Sequence, residues 1–138
     1  MTIKRIDHVA IVVPNLEEAR RFYEDILGLE VTHVERADGQ AVTIAFMPIG
    51  ESEIELLEPT TEDSGVARFL EKRGPGIHHI CFEVDDITST LNDLKTKGVQ
   101  LIHEEPVTDP GGKRFAFVHP RSTFGVLIEF YELPSKSQ

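Results

Sequence analysis

Ile77-His78-His79-Ile80-Cys81-Phe82-Glu83-Val84-Asp85-Asp86-Ile87 repeats the opening of the chain, Ile6-Asp7-His8-Val9-Ala10-Ile11-Val12-Val13-Pro14-Asn15-Leu16. Ile6 and Ile77, His8 and His79, and Val13 and Val84 match at one offset of 71 residues. A helix-like segment follows each copy and stops at a glycine, Gly28 in the first half and Gly98 in the second. Each half closes on an acidic strand pattern, Ile54-Glu55-Leu56-Leu57-Glu58 and Ile128-Glu129-Phe130-Tyr131-Glu132. A histidine therefore opens each half and a glutamate closes it. Together the halves supply two imidazoles and two carboxylates, a complete set of metal ligands.

The segments around these motifs give the fold class. Residues 3–13 are rich in Ile and Val and end at Pro14, which predicts a strand. Asn15 with Glu18 three residues on forms a capping-box pattern. Leu16, Ala19, Phe22/Tyr23 and Ile26/Leu27 then recur at helical spacing, so one face of 16–27 is expected to be apolar. Gly28 ends that helix. Strands are expected at 29–36, 41–48 and 53–58, with Asp38-Gly39 as a hairpin turn. Residues 59–76 read as a connector carrying a short helix around Val66–Leu70. The second half repeats the order: strand from Ile77, cap at Asp86, helix to Gly98, strand Val99–Glu104, loop Pro106–Gly112, and strands Arg114–His119 and Gly125–Glu132. The tail Pro134–Gln138 is polar and expected to fray. The result is one α+β domain over residues 1–138, built of two tandem βαβββ modules, about 3–59 and 77–133. Side by side, their sheets would form a curved, half-open mixed sheet with helices outside.

Bulk properties narrow the function. The chain has 138 residues, 40% hydrophobic and 28% charged, as in an ordinary soluble protein. A net charge of −10 argues against a nucleic-acid partner, which needs a basic face, but allows an anionic small molecule met by a few local cations. Cys81 is the single cysteine, which excludes an intramolecular disulfide and fits a reducing compartment. No apolar run reaches the ~20 residues of a membrane span, and Met-Thr-Ile-Lys-Arg lacks a signal-peptide core. The expectation is a cytoplasmic protein.

Strand parity selects the ligands, since side chains alternate across a strand. In 77–84, His79 shares a face with small Cys81, while His78 sits with Ile80, Phe82 and Val84, the set expected to pack on a helix. In the first copy His8 shares a face with Ala10, opposite Val9, Ile11 and Val13. Glu55 and Glu129 lie between apolar neighbours on central strands, where a carboxylate is costly unless paired, protonated or metal-bound. Glu58 and Glu132 have the opposite parity and read as solvated charges. A lone strand histidine is ordinarily a hydrogen-bonded or surface residue; duplication of both His and both Glu is what favours a metal role. His33, His103 and His119 have no such duplicated setting and read as surface or strand-end residues.

These residues resemble the vicinal-oxygen-chelate superfamily and, within it, the methylmalonyl-CoA epimerase family. The motifs are Ile6-Asp7-His8-Val9-Ala10, Ile54-Glu55-Leu56-Leu57-Glu58-Pro59, Gly76-Ile77-His78-His79-Ile80, His119-Pro120-Arg121-Ser122 and Gly125-Val126-Leu127-Ile128-Glu129. The resemblance implies that His8, Glu55, His79 and Glu129 ligate one divalent ion. That donor set suits cobalt, nickel, zinc or manganese alike. It further implies epimerisation of methylmalonyl-CoA through an enolate that the cation stabilises, with Glu129 as one acid/base. Some family members carry a second catalytic carboxylate on the strand corresponding to about 41–46, where this chain has Ala41-Val42-Thr43-Ile44-Ala45-Phe46; Glu35, Glu104 or a metal-bound water are the replacements. Family members often have Gly where Phe124 stands, at the expected pocket rim. Lys113, Arg114 and Arg121, with Lys72 and Arg73, are candidate contacts for acyl-CoA phosphates. The superfamily is commonly homodimeric. Rival readings are a glyoxalase I-type lactoylglutathione lyase, a ring-cleaving dioxygenase, for which Glu55 would be surplus, and a non-catalytic small-molecule binding protein of the same fold.

Overall fold

In the computed structural model, which describes residues 1–134, the element order is βαβββ twice. Apart from Pro134, the expected polar tail lies outside the described residues. Strand β1 spans Ile3–Val12, helix α1 Leu16–Arg20, β2 His33–Ala37, β3 Val42–Ile49 and β4 Ser52–Pro59. Helix α2, Gly65–Arg73, connects to β5, Gly76–Val84. Helix α3 spans Ile87–Thr96, followed by β6 Val107–Thr108, β7 Arg114–Val118 and β8 Leu127–Glu132. No helix among the described residues is long and apolar enough to cross a membrane.

The chain divides into two units, one of residues His8–His78 and one of Met1–Asp7 together with the residues from His79 on. In the first, the strands run in the order β2-β3-β4-β1, with β1 parallel to β4 and the other pairs antiparallel. In the second, β5-β8-β7-β6 repeats the scheme, with β5 parallel to β8. This is the α+β class with mixed strand pairing.

Each unit buries one strand face under a helix. In the first, Val13, Ala45, Met47 and Leu56 pack with Leu16, Ala19 and Tyr23 of the helical segment. In the second, Val84, Ala116, Val118 and Phe130 pack with Ile87 and Leu91 of α3. Ile87 and Leu91 are fully buried, each worth roughly 1.5–3 kcal/mol. The opposite face of β1, at Ala10 and Val12, is covered within its unit by Val66, Phe69 and Leu70 of α2.

The helix ends follow the sequence. The Asn15 and Asp86 side chains accept from Glu18 N and Ser89 N at 2.9 and 3.0 Å. Gly28 and Gly98 adopt φ of 76° and 80°, which a glycine takes at low cost.

Four expectations are corrected. The segment after Arg20 is a π-helix, Arg21–Ile26, in which Leu27 N bonds Phe22 O. The wider winding turns the apolar stripe outward, leaving Ile26 72% exposed, so the buried face of 16–27 reduces to Leu16, Ala19 and Tyr23. Strand β2 begins at His33 rather than 29, because Leu29 N closes the π-helix on Tyr23 O. The hairpin turn expected at Asp38-Gly39 is present, occupying 38–41 between antiparallel β2 and β3, with a positive φ on Ala41 (55°). Residues 99–104 form no strand but a single bridge, Leu101 to Val118. The amide of Phe117 bonds the His103 ring at 3.0 Å, so a side chain interrupts the ladder. Finally, the loop expected at 106–112 contains β6.

Candidate metal centre

His8 and Glu55 come together in the first unit, with Nδ1 and Oε2 3.4 Å apart. His79 and Glu129 do so in the second, with Nε2 and Oε1 3.2 Å apart. His8, His79 and Glu129 are buried, and Glu55 is nearly so.

Strand register explains both contacts. Ala10 stands directly across from Glu55 on the parallel pair β1–β4, and Cys81 across from Glu129 on β5–β8. Each histidine is two residues before that small residue and therefore a diagonal neighbour of the glutamate on the same face. Ala10 and Cys81 are fully buried, which sets a small side chain beside each carboxylate. On the other flank Glu55 faces Phe46 of β3, and Glu129 faces Phe117 of β7. Each glutamate thus lies in a row between a small residue and a phenylalanine, on the face turned away from the flanking helix.

The phenylalanines escaped the sequence reading, although Phe46 and Phe117 share the 71-residue offset of the two histidines. Phe117 meets the His79 ring edge-on at 5.5 Å. His33 stacks on Phe46 at 4.2 Å, and His103 packs against Phe117 at 5.8 Å. His33 and His103 therefore do have matching settings, contrary to expectation. His119 instead accepts from Arg121 N at the start of the turn Pro120–Ser122.

Glu58 and Glu132 are not solvated charges. Glu58 accepts the amide of Leu16 at 2.6 Å and Glu132 that of Ile87 at 2.9 Å, each at the first residue of a helix. Those amides have no intrahelical acceptor, and a carboxylate there also meets the positive end of the helix.

A second buried polar group lies in the unit that holds His79 and Glu129. Arg5 donates to Glu83 at 2.6 Å, to Asp7 at 3.0 Å and to Tyr131 Oη at 3.2 Å. The Tyr131 hydroxyl donates to Asp7 at 2.6 Å. Burial first, and then the bond to Asp7, push that hydroxyl above the usual tyrosine range. The bond to Glu83 raises the Arg5 guanidinium further. Burial likewise pushes the Cys81 thiol up, so it stands in the row as a neutral small group.

The remaining candidates are dispersed. Lys113 lies over the Tyr131 ring at 4.9 Å. Arg114 points to the α3 side, bonded to Thr88 and Glu132. Arg121 is exposed in the turn before β8. Arg73 lies over Phe69 and Lys72 is exposed, both on α2. Glu35 is exposed on β2, two residues from His33 and on the same strand face; Glu104 is exposed in the stretch before β6.

The donor set fits a divalent ion. Two ligands at 2.0–2.2 Å from one ion and at right angles to each other lie about 3 Å apart. Both His–Glu separations, 3.4 and 3.2 Å, are close to that.

Comparison with known proteins agrees with this layout. The family model described as the glyoxalase/bleomycin resistance protein/dioxygenase superfamily matches residues 5–130. The mitochondrial methylmalonyl-CoA epimerase of Homo sapiens is 42% identical over 126 residues, which is 91% of this chain and 72% of that protein. The ethylmalonyl-CoA/methylmalonyl-CoA epimerase of Cereibacter sphaeroides is 41% identical over 133 residues, 95% of this chain and 99% of that protein. A solved methylmalonyl-CoA epimerase in complex with methylmalonyl-CoA and NH4+ superposes with a TM-score of 0.85 at 38% identity, covering 96% of each chain. With the family model spanning both modules, the chain belongs to the glyoxalase/bleomycin resistance protein/dioxygenase superfamily.

Proposed function

We propose that this chain is a metal-dependent epimerase of methylmalonyl-CoA, in which His8, Glu55, His79 and Glu129 hold one divalent ion. The observation that carries the reading is the buried His–Glu pair repeated in both modules, in a chain about 40% identical to epimerases of that substrate. The two units are read as the modules of a single domain, and the active form as a homodimer.

The α-carbon of a methylmalonyl thioester lies between two carbonyl groups, which makes its proton removable by a positioned carboxylate. A bound divalent ion would act as a Lewis acid toward the substrate's oxygens. Glu129 takes the α-proton, and the electron pair of the C–H bond delocalises into the adjacent carbonyls. A second acid on the opposite face of the planar carbon gives up a proton to it, which inverts the configuration, and Glu129 then releases the proton that it took to solvent. The Phe117 ring, edge-on to His79 and across from Glu129, keeps an apolar wall beside the base.

The test is incubation of the metal-loaded protein with one epimer of methylmalonyl-CoA in deuterated water. Exchange at the α-carbon with inversion is expected, and it should disappear on chelation and in Glu129→Gln. Turnover of a glutathione hemithioacetal without such exchange would transfer the protein to the glyoxalase reading.

A further inference from the structure

We infer that Phe124 is a stacking platform for the purine ring of the CoA substrate, with Arg121 in the same turn as its phosphate partner; this rests on the acyl-CoA reading above.

Phe124 has φ of 59°, a left-handed conformation that costs a bulky side chain free energy. Its side chain is also fully exposed, at 102% of the reference area. A strained backbone is ordinarily retained where packing compensates it, and here the exposed ring supplies none. The strain is fixed in place by its surroundings. Gly125 N bonds Pro120 O at 2.9 Å, Thr123 N bonds Pro120 O at 3.1 Å, and Thr123 Oγ1 donates to Val126 O. Gln100 N donates to the Ser122 hydroxyl at 2.9 Å, tying the turn to the segment after α3. The turn is therefore built to hold a large flat apolar ring in water, and the exposed Arg121 belongs to the same turn.

Its position suits the outer part of a long thioester. Phe124 lies three residues before Leu127, which pairs directly with His79. Three residues span at most about 11 Å. The backbone of Phe124 is thus at the His79 end of β8, within the reach of a pantetheine arm. A purine offers a π-face for stacking whatever its edges bind, and the guanidinium of Arg121 suits the attached phosphates.

The experiment is calorimetric titration of coenzyme A, and of pantetheine, into wild-type protein, Phe124→Gly and Phe124→Trp, with thermal unfolding of each. Phe124→Gly is expected to bind coenzyme A roughly tenfold more weakly, while Phe124→Trp retains affinity. Pantetheine affinity should be unchanged, and the glycine variant should unfold at the same or a higher temperature because strain is removed. Equal coenzyme A affinity in wild type and Phe124→Gly would overturn the inference, as would an equal loss for pantetheine. Absence of any coenzyme A binding by the wild type would overturn it together with the acyl-CoA reading. Failure of the epimerase reading alone would be recognised as coenzyme A binding without α-proton exchange.

Discussion

His79 Nε2 lies 3.2 Å from Glu129 Oε1, and the relationship repeats 71 residues earlier at the histidine, where His8 Nδ1 lies 3.4 Å from Glu55 Oε2. If one ion draws on both pairs, each ligand matters separately. His8→Ala and His79→Ala are each expected to lower affinity for cobalt or zinc by more than the ten- to hundredfold typical of outer-shell partners. Calorimetric titration of the metal-free protein measures this. Full affinity in either variant would remove that histidine from the site.

The rows that seat the carboxylates predict a steric effect at their small members. Ala10 and Cys81 are fully buried opposite Glu55 and Glu129. Ala10→Leu and Cys81→Leu should each cost about 1–3 kcal/mol through overpacking, and should also weaken metal binding by displacing the glutamate. Cys81→Ala should keep the metal. A thiol reagent should leave the native protein unlabelled and label it fully in urea, because burial both shields the thiol and holds it protonated.

Glu58 and Glu132 predict a loss of stability without loss of the site. Each accepts the first amide of a helix, so Glu58→Ala and Glu132→Ala should each cost about 1–2 kcal/mol. Urea unfolding measures the cost, and metal titration should show unchanged affinity. A metal defect as large as that of His79→Ala would contradict the helix-capping role.

The alternation of strand side chains made the His–Glu faces legible, because His8/Ala10 and His79/Cys81 differ from their neighbours at period two. The caps at Asn15 and Asp86 and the stops at Gly28 and Gly98 were legible too, since their signals lie within one helix turn. Glu58 was not, because its partner Leu16 is 42 residues away and only the fold brings them together. The interrupted strand at 99–104 depends on the His103 ring reaching the amide of Phe117, a competition that strand propensity does not register. Phe46 and Phe117 were readable from the repeat offset but looked like ordinary core residues. Nothing in residues 21–26 distinguishes π from α winding at the level of apolar spacing.

The Arg5–Glu83 contact carries the last prediction. Glu83 is almost wholly buried and Arg5 about two-thirds so, and the 2.6 Å bond between them joins residues 78 apart in sequence. A buried pair gains little over apolar residues of the same shape, but removing one partner leaves a charge that the interior does not solvate. Arg5 keeps Asp7 and Tyr131 as partners when Glu83 is lost, which moderates the penalty. Glu83→Ala should therefore cost about 2–3 kcal/mol, at the lower edge of the range for broken buried pairs. Tyr131→Phe removes the bond to Asp7 and the one accepted from Arg5, and should cost about 1–3 kcal/mol. The combined Arg5→Met, Glu83→Leu variant should be less destabilised than the sum of its single changes, with a coupling of about 1–3 kcal/mol. Urea unfolding of the four proteins closes the cycle. Strict additivity would mean that Arg5 and Glu83 are each held by their other neighbours and not by one another.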